Sequence, residues 1–316
     1  MTPPDSVTIQ PKFSDPAWTA RGERRARVDV SGLSTLWVNT GTLCNLACGH
    51  CYIESSPRND RLDWFRLYDL RRYLDEIEAL GLDRPEIGFT GGEPFMNPDI
   101  VAMLDEALSR GHKALVLTNA MTPMTHRRTD LLRLRQAFGD ALVIRVSVDH
   151  FDPERHDEER GQGGFAATLA GLRWLSDNGF AMRVAGRTLW DGDEARLRKG
   201  FGALFASKGI GIDCLDPEML VLFPEMDEAA EVPEITEACW GILGKSPADM
   251  MCASSRMVVR RKGEADAVVL ACTLIAYDAE FELGRTLAES LRPVSLNHPH
   301  CAKFCVLGGG ACSREP

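Results

Sequence analysis

The sequence predicts an α/β protein, with a partial (β/α)6 TIM-like barrel followed by a small C-terminal β-hairpin and a cysteine-rich domain. The first supporting observation is that short apolar segments alternate with helical patterns from about residue 34 to residue 215. The second is that this alternation stops after residue 215, and that six of the ten cysteines fall between residues 239 and 312. The pattern therefore indicates a parallel sheet joined to a smaller unit of different character.

Six segments have the length of strands and are β-branched or apolar on both faces, as buried parallel strands are. They are Thr35–Asn39, Glu86–Thr90, Ala114–Thr118, Ala141–Asp149, Ala181–Thr188 and Ile210–Cys214. The segments between them place apolar residues three or four positions apart and end at a glycine, as residues 67–81 and 165–179 do. Reactive groups of such a barrel are expected at the carboxyl ends of the strands.

The pattern divides the chain into four parts. Residues 1–33 are an N-terminal extension, and residues 34–215 form the barrel. Residues 216–245 are predicted to be a connector, because their first half is rich in Glu, Asp and Pro. Residues 246–316 form the cysteine-rich domain, in which two predicted strands flank a turn at Gly263.

Charge limits the classes of partner. The 316 residues carry 36 Lys and Arg against 46 Asp and Glu, which gives a formal net charge of −10. This balance argues against a protein that mainly binds nucleic acid or an anionic membrane. The basic run from Arg21 to Arg27 is expected to be a solvated face rather than a docking site for an acidic partner.

The expected compartment decides what the cysteines mean. No apolar stretch is long enough for a signal-peptide core or a membrane span, so the sequence predicts a cytoplasmic protein with no membrane partner. In a reducing cytoplasm, clustered cysteines are expected to bind metal rather than to form disulfides.

Three cysteines follow the first predicted strand in a Cys-x3-Cys-x2-Cys spacing: Cys44, Cys48 and Cys51. Three thiolates within eight residues can surround one metal centre, but they leave a four-iron cluster one protein ligand short. The residues alone leave two alternatives open, a zinc site completed by His50 and three cysteines of the core.

This triplet, with Tyr52 directly after it, resembles the hallmark of the radical S-adenosylmethionine (radical SAM) superfamily. A second match follows the second predicted strand, where the family has a Gly-Gly-Glu-Pro motif for the methionyl ammonium group. Its residues are Gly91, Gly92, Glu93 and Pro94, and Thr90 directly precedes them. The resemblance implies a [4Fe–4S] cluster on the three thiolates, with S-adenosylmethionine on the fourth iron. The glycines are expected to let the backbone approach this ligand, and Glu93 to accept from its cation.

Further residues at the ends of predicted strands resemble the ligand-binding residues of the family. Asn119 resembles a residue at the S-adenosylmethionine site, and Ser147 and Asp149 resemble the pair that faces the ribose hydroxyls. Arg187 resembles a basic residue that meets the methionyl carboxylate. The string from Ser147 to Phe165 also resembles a signature of members with extra clusters near the C-terminus.

The C-terminal cysteines resemble those of the SPASM and twitch domains, and the resemblance implies that the last part of the fold is an iron–sulfur domain. The resemblance implies one auxiliary [4Fe–4S] cluster in preference to two, with a zinc site as the alternative. Its implied ligands are Cys252, Cys272, Cys301 and Cys305, and Cys239 and Cys312 are competitors for a place. Cys214 is expected to be a core residue.

The resemblance implies reductive cleavage of S-adenosylmethionine to a 5′-deoxyadenosyl radical, which takes hydrogen from a peptide or small-molecule substrate. The expected electron donor is a one-electron carrier such as flavodoxin or ferredoxin. The net reaction is expected to be oxidative, a dehydrogenation or a cross-link. The alternative is a non-catalytic iron–sulfur electron carrier or sensor that keeps the fold.

Overall fold

The structure is a computed structural model that describes residues 11–190, 192–225 and 231–308. Its strands are β1 (Arg27–Val28), β2 (Thr35–Asn39), β3 (Glu86–Thr90), β4 (Ala114–Thr118), β5 (Leu142–Ser147), β6 (Ala181–Arg187), β7 (Leu220–Phe223), β8 (Ser255–Val259), β9 (Val268–Leu270), β10 (Glu282–Gly284) and β11 (Val294–Ser295). Its α-helices are α1 (Leu67–Ala79), α2 (Ile100–Ser109), α3 (Thr122–Thr125), α4 (Arg128–Phe138), α5 (Pro153–Arg160), α6 (Gly164–Asp177), α7 (Glu194–Lys208), α8 (Cys239–Leu243), α9 (Met251–Ser254) and α10 (Leu287–Ser290). A π-helix spans Cys301–Leu307.

Strands β2 to β7 lie side by side in chain order, and all five neighbouring pairs are parallel. Their carboxyl ends therefore meet along one edge of the sheet. Apolar residues of the sheet and of the helices that follow its strands form one buried core. Within the described residues the strand order ends at β10 on one side and β7 on the other, so the sheet is an open barrel, as predicted.

The sixth strand of the barrel is β7, and the prediction of a strand at Ile210–Cys214 was wrong. Helix α7 ends at Gly209, which adopts φ +64°, and the backbone N–H of Ile210 then donates to the carbonyl of Phe205. Residues 210–214 belong to the turn that returns the chain to the sheet, and Ile210 and Cys214 are buried in the core. The strand is instead Leu220–Phe223, a short apolar segment within residues 216–245, the predicted connector. Two apolar segments lie close together here, and only pairing with β6 distinguishes the strand.

The predicted C-terminal hairpin is present, and it extends the barrel sheet. Strand β8 runs parallel to β2, and β9 returns antiparallel to β8 after a turn in which Gly263 adopts φ +79°. Strand β10 then pairs with β9. The domain boundaries drawn after residues 33, 215 and 245 remain predictions.

The N-terminal residues pack on the cysteine-rich part. Strand β1 pairs with β11, and Ala26 and Val28 lie in the same apolar cluster as Cys252 and Cys301. The basic run is not solvated throughout, because the side chain of Arg25 is fully buried and paired with Glu234 at 2.5 Å. A buried arginine needs such a partner, and the charge pattern alone does not identify one so distant in sequence.

No helix in the described part of the chain is both long and apolar enough to cross a membrane.

Candidate active site

A single cavity at the carboxyl ends of the barrel strands brings most of the predicted site residues together. The predicted residues that line it are Cys44, Cys48, Cys51, Tyr52, Thr90, Gly91, Gly92, Glu93, Asn119, Ser147, Asp149 and Arg187. Pro94 is not among the lining residues, because it begins a short 3-10 helix behind the cavity. The cavity therefore joins the cysteine loop to the ends of β3, β4, β5 and β6.

Backbone N–H groups surround the sulfur atoms of the cysteine loop. The N–H of Leu46 donates to Cys44 Sγ at 3.4 Å, and the N–H of Ser55 donates to Cys51 Sγ at 3.3 Å. Burial raises the pKa of Cys44 to about 12 and also raises that of Cys48. A bound cationic centre is the usual means by which buried thiols become thiolates, so these sulfur atoms fit metal ligands. In the described part of the chain, no three His, Cys, Asp or Glu side chains are arranged to hold a single metal ion.

Two glycines after β3 let this strand end close against the start of the cysteine loop. A Cβ atom on Gly92 would lie 2.1 Å from the carbonyl oxygen of Leu43, and one on Gly91 would lie 2.5 Å from that of Gly41. The N–H of Gly92 donates to the Gly41 carbonyl at 2.8 Å, and the N–H of Glu93 donates to the Leu43 carbonyl at 3.2 Å. The space that a Cβ atom would need at these two positions is therefore taken by the backbone of the loop. Glycine is needed here for this packing, in addition to the close approach to a ligand that the sequence predicts.

Glu93 lines the cavity, and its side chain is buried. Its carboxylate accepts hydrogen bonds from the Thr118 hydroxyl at 2.8 Å and from the backbone N–H groups of Asn119 and Phe95 at 2.9 and 3.1 Å. Burial raises its pKa to about 7 in spite of these bonds. A cation beside Glu93 would favour the ionised form, so this side chain fits the ammonium group of an amino acid.

Asn119 links Glu93 to the cysteine loop. Its backbone N–H donates to the Glu93 carboxylate, and its side-chain amide donates to Asn45 Oδ1 at 2.9 Å. Asn45 lies in the cysteine loop, between Cys44 and Cys48 in the sequence. The loop is therefore held to the ends of both β3 and β4.

Arg187, at the end of β6, offers a hydrogen-bond donor to the cavity. Its Nη1 atom donates to Glu159 at 2.9 Å, whereas its buried Nη2 atom has no hydrogen-bond partner among the described residues. An orphaned guanidinium nitrogen in a cavity fits a carboxylate ligand, because it leaves a strong donor unused.

Asp149 is neutralised by a residue that sequence reasoning did not place in the site. Arg160 forms two hydrogen bonds to its carboxylate, one of them from Nη2 to Oδ1 at 3.0 Å. Burial alone would raise the pKa of Asp149, but the Arg160 guanidinium holds it below its usual range. The carboxylate is therefore an ion-pair partner, while Ser147 lies two residues before it at the end of β5.

Glu159 is, after Arg160, a second charged lining residue that sequence reasoning missed. Helix α5 begins after Asp152, whose side chain accepts from the N–H of Glu154, and its last turn carries Glu159 and Arg160 into the cavity. The Glu159 carboxylate accepts from the His50 N–H at 2.7 Å and contacts His50 Nδ1 at 2.8 Å. Its place in a strongly charged helix offered no signal, because charged residues on such helices usually face solvent.

The four C-terminal cysteines predicted as ligands line a second, apolar cavity. Cys252, Cys272, Cys301 and Cys305 surround it, together with Met250, Met251, Leu274, Phe281, Val294, Leu296 and His300. Burial raises the pKa of Cys252 to about 11 and that of Cys301 well above its usual range. These four thiols line one apolar cavity, so this donor set fits a metal centre.

The remaining cysteines lie elsewhere. Cys239 does not line the second cavity, and its Sγ atom accepts from the Thr236 N–H at 3.3 Å. Cys214 lies in the barrel core, as predicted, although on a turn and not on a strand. Cys312 lies outside the described residues.

Comparisons with known proteins agree with this geometry. Residues 38–193 match the family model described as the Radical SAM superfamily. A stretch of 143 residues is 36% identical to the antilisterial bacteriocin subtilosin biosynthesis protein AlbA of Bacillus subtilis and covers 45% of this chain and 30% of AlbA. A stretch of 139 residues is 32% identical to the mycofactocin maturase MftC of Mycobacterium ulcerans and covers 44% of this chain and 35% of MftC. The matched region thus spans about a third of the length of these curated relatives.

A solved structure shares the fold across most of the chain. The crystal structure of Streptococcus suis SuiB bound to S-adenosylmethionine superposes with a TM-score of 0.58 at 14% sequence identity, over 80% of this chain and 63% of SuiB. The motifs, the family match and the shared fold agree. Residues 38–193 therefore belong to the radical SAM superfamily, whose members use a [4Fe–4S] cluster and S-adenosylmethionine, and the cysteines that line the second cavity accord with a C-terminal part of the SPASM/twitch-like type.

Proposed function

We propose that this protein is a radical SAM enzyme that takes a hydrogen atom from a peptide substrate and leaves it oxidised, by a dehydrogenation or a cross-link. One observation carries the proposal. The thiols of Cys44, Cys48 and Cys51 share a cavity with Glu93 and Arg187, and the Nη2 atom of Arg187 has no hydrogen-bond partner among the described residues. Three thiols, an acid and a guanidinium form a donor set for an iron–sulfur cluster and the two ends of an amino acid.

Each of these residues has a role toward the cofactors. The three loop cysteines would hold the cluster, Glu93 would accept from the methionyl ammonium, and Arg187 would donate to the methionyl carboxylate. When bound, the reduced cluster and S-adenosylmethionine supply a 5′-deoxyadenosyl radical and methionine, with the electron coming from an external carrier such as flavodoxin or ferredoxin. Glu93, held by three hydrogen bonds, presents its carboxylate in one orientation. The chain therefore supplies orientation.

The tail supports the oxidative part of the proposal. Cys252, Cys272, Cys301 and Cys305 would close one auxiliary [4Fe–4S] cluster, because four thiolates complete such a centre. Removing a hydrogen atom leaves a substrate radical, which must still lose one electron and one proton to complete a two-electron oxidation. A cluster held by these four thiols would supply an acceptor for the electron, and the proton would pass to solvent. Leu274 lines both cavities, so the two cavities are neighbours.

The peptide substrate is supported by the names of the relatives. AlbA is named for the biosynthesis of a bacteriocin, and MftC is named a maturase. These names concern proteins of which this chain matches about a third, so the substrate class is part of the proposal.

Anaerobic reconstitution with iron and sulfide tests the proposal. With dithionite and S-adenosylmethionine, the wild-type protein is expected to form 5′-deoxyadenosine, measured by chromatography with mass spectrometry. Cys44→Ala should abolish this product. Cys239→Ala is the matched control, because its sulfur lies outside both cavities. An intact first cluster that yields no 5′-deoxyadenosine would contradict the proposal.

A further inference from the structure

We infer that Phe223, Leu274 and Phe304 form a subsite for an apolar side chain of the substrate. The inference rests on the proposed function, because the polar part of the same cavity is assigned to S-adenosylmethionine. The three residues line the active-site cavity, and none was predicted from the sequence to do so.

The apolar wall begins directly beside the last polar residue of the site. Phe223 on β7 is the register partner of Arg187 on the parallel strand β6. Side chains of paired residues on neighbouring strands point to the same face of the sheet, so these two lie next to each other. Strand β7 is the last strand of the barrel sheet on this side, within the described residues.

The tail completes the wall with residues that neighbour its cysteines. The ring of Phe304 stacks on that of Phe223, with centroids 5.8 Å apart and an angle of 29° between the planes. Phe304 lies on the π-helix that carries Cys301 and Cys305. Leu274 donates its backbone N–H to Cys272 Sγ at 3.4 Å. A group bound against this wall would therefore contact the segments that carry three of the four tail cysteines.

The charges around the cavity favour an apolar group at this wall. Arg160 is paired with Asp149, and Glu159 is paired with both Arg187 and His50. With the free donor of Arg187 assigned to the methionyl carboxylate, a charged substrate side chain against the wall would lose its water without gaining an opposite charge, which is costly. An aliphatic or aromatic side chain instead gains from burial against two aromatic rings and a leucine.

Binding of small probes tests the subsite. The anaerobically reconstituted protein, with S-adenosylmethionine present, is mixed with the N-acetyl amides of leucine, phenylalanine, serine and aspartate. Saturation-transfer-difference NMR reads their binding. The leucine and phenylalanine amides are expected to bind more tightly than the other two. Phe223→Ser should weaken binding of the leucine amide by about tenfold, since burial of an apolar side chain contributes to affinity on that scale.

Two variants and two further measurements serve as controls. Phe223→Leu should keep the preference for apolar probes, and Leu215→Ser, at a residue that is 78% exposed and outside the cavity, should leave binding unchanged. Iron content and circular dichroism report whether each variant is folded. The ranking of the four amides on the wild type depends on no variant.

The inference is overturned if the serine or aspartate amide binds as well as the leucine amide, or if no amide binds. It is also overturned if folded Phe223→Ser binds the leucine amide as the wild type does. Formation of 5′-deoxyadenosine is measured on the same preparation. If the wild type forms this product but does not bind the apolar amides more tightly than the polar ones, the subsite is refuted and the proposed function is not. A wild type that prefers apolar amides but forms no product refutes the proposed function instead.

Discussion

The carboxylate of Glu159 contacts His50 at two atoms: it accepts from the backbone N–H at 2.7 Å, and it lies 2.8 Å from the ring Nδ1. His50 lies between Cys48 and Cys51, so a helix that follows β5 holds the loop that follows β2. The same carboxylate accepts from Arg187 at 2.9 Å, and its side chain is only 3% exposed. Glu159 therefore ties the cysteine loop to the end of β6.

Replacing Glu159 should loosen the cysteine loop. Hydrogen bonds to a charged group contribute about 1.5–3 kcal/mol each, and about 1.4 kcal/mol corresponds to a tenfold change. We expect Glu159→Ala to release iron to a chelator about tenfold faster than the wild type, measured from the absorbance of the iron–chelator complex. The control is Glu158→Ala, because the Glu158 side chain is 62% exposed. Equal rates of release in the two variants would show that Glu159 does not position the loop.

Gly92→Ala should destabilise the protein, because the new Cβ would lie 2.1 Å from a backbone oxygen. Such overpacking costs about 1–3 kcal/mol or more, and a carbonyl cannot swing away as a flexible side chain can. The matched control is Gly202→Ala on α7, where no atom lies within 4 Å of the new Cβ. A glycine-to-alanine change inside a helix is expected to stabilise by about 0.5–1 kcal/mol. Thermal unfolding followed by circular dichroism measures both, and an unchanged midpoint in Gly92→Ala would be inconsistent with this packing.

Iron content tests the auxiliary centre. Two [4Fe–4S] clusters predict about 8 iron atoms per chain, and a lone cluster predicts about 4. We expect the reconstituted wild type to approach the higher value and the double variant Cys252→Ala with Cys305→Ala the lower one. Cys239→Ala should retain the wild-type content, since Cys239 does not line the second cavity. A double variant with the full iron content would refute the assignment of these four cysteines.

His156 should make the protein less stable at acidic pH. Burial, with Arg160 as the next cause, lowers its pKa from 6.5 to about 4. The unfolded chain therefore takes up a proton below about pH 6.5 while the folded protein does not, so stability falls as the pH falls from there toward 4. The full effect is at most about 3 kcal/mol. The groups that face His156 are Arg160, Asp149, Asp157, His150 and the ring of Phe165.

The thermal midpoint measures this effect. Between about pH 7.5 and about pH 5, the midpoint of His156→Gln should fall less than that of the wild type, because the variant has no buried imidazole to protonate. His126→Gln is the matched control, since His126 is exposed. A parallel fall in wild type and His156→Gln would contradict the prediction.

The sequence by itself determined the parts whose signal is local. The three loop cysteines and the segment from Thr90 to Pro94 are contiguous motifs, and each follows an apolar segment that forms a strand. Most strands of the barrel could be predicted for the same reason, because a short run that is apolar on both faces has few alternatives to a buried parallel strand. The hairpin between Cys252 and Cys272 was also readable from its turn.

Only the tertiary structure decided which distant residues share a site. Glu159 contacts His50 across 109 positions of the chain, and Arg25 pairs with Glu234 across 209. In the sequence, these charged residues cannot be distinguished from solvent-exposed ones, because their burial and their partners depend on the fold. The choice of β7 over residues 210–214 depended likewise on pairing with β6, and the contact of Phe223 with Phe304 depended on where the tail packs. Periodicity and spacing describe only neighbours along the chain, whereas burial and ion pairing depend on neighbours in space.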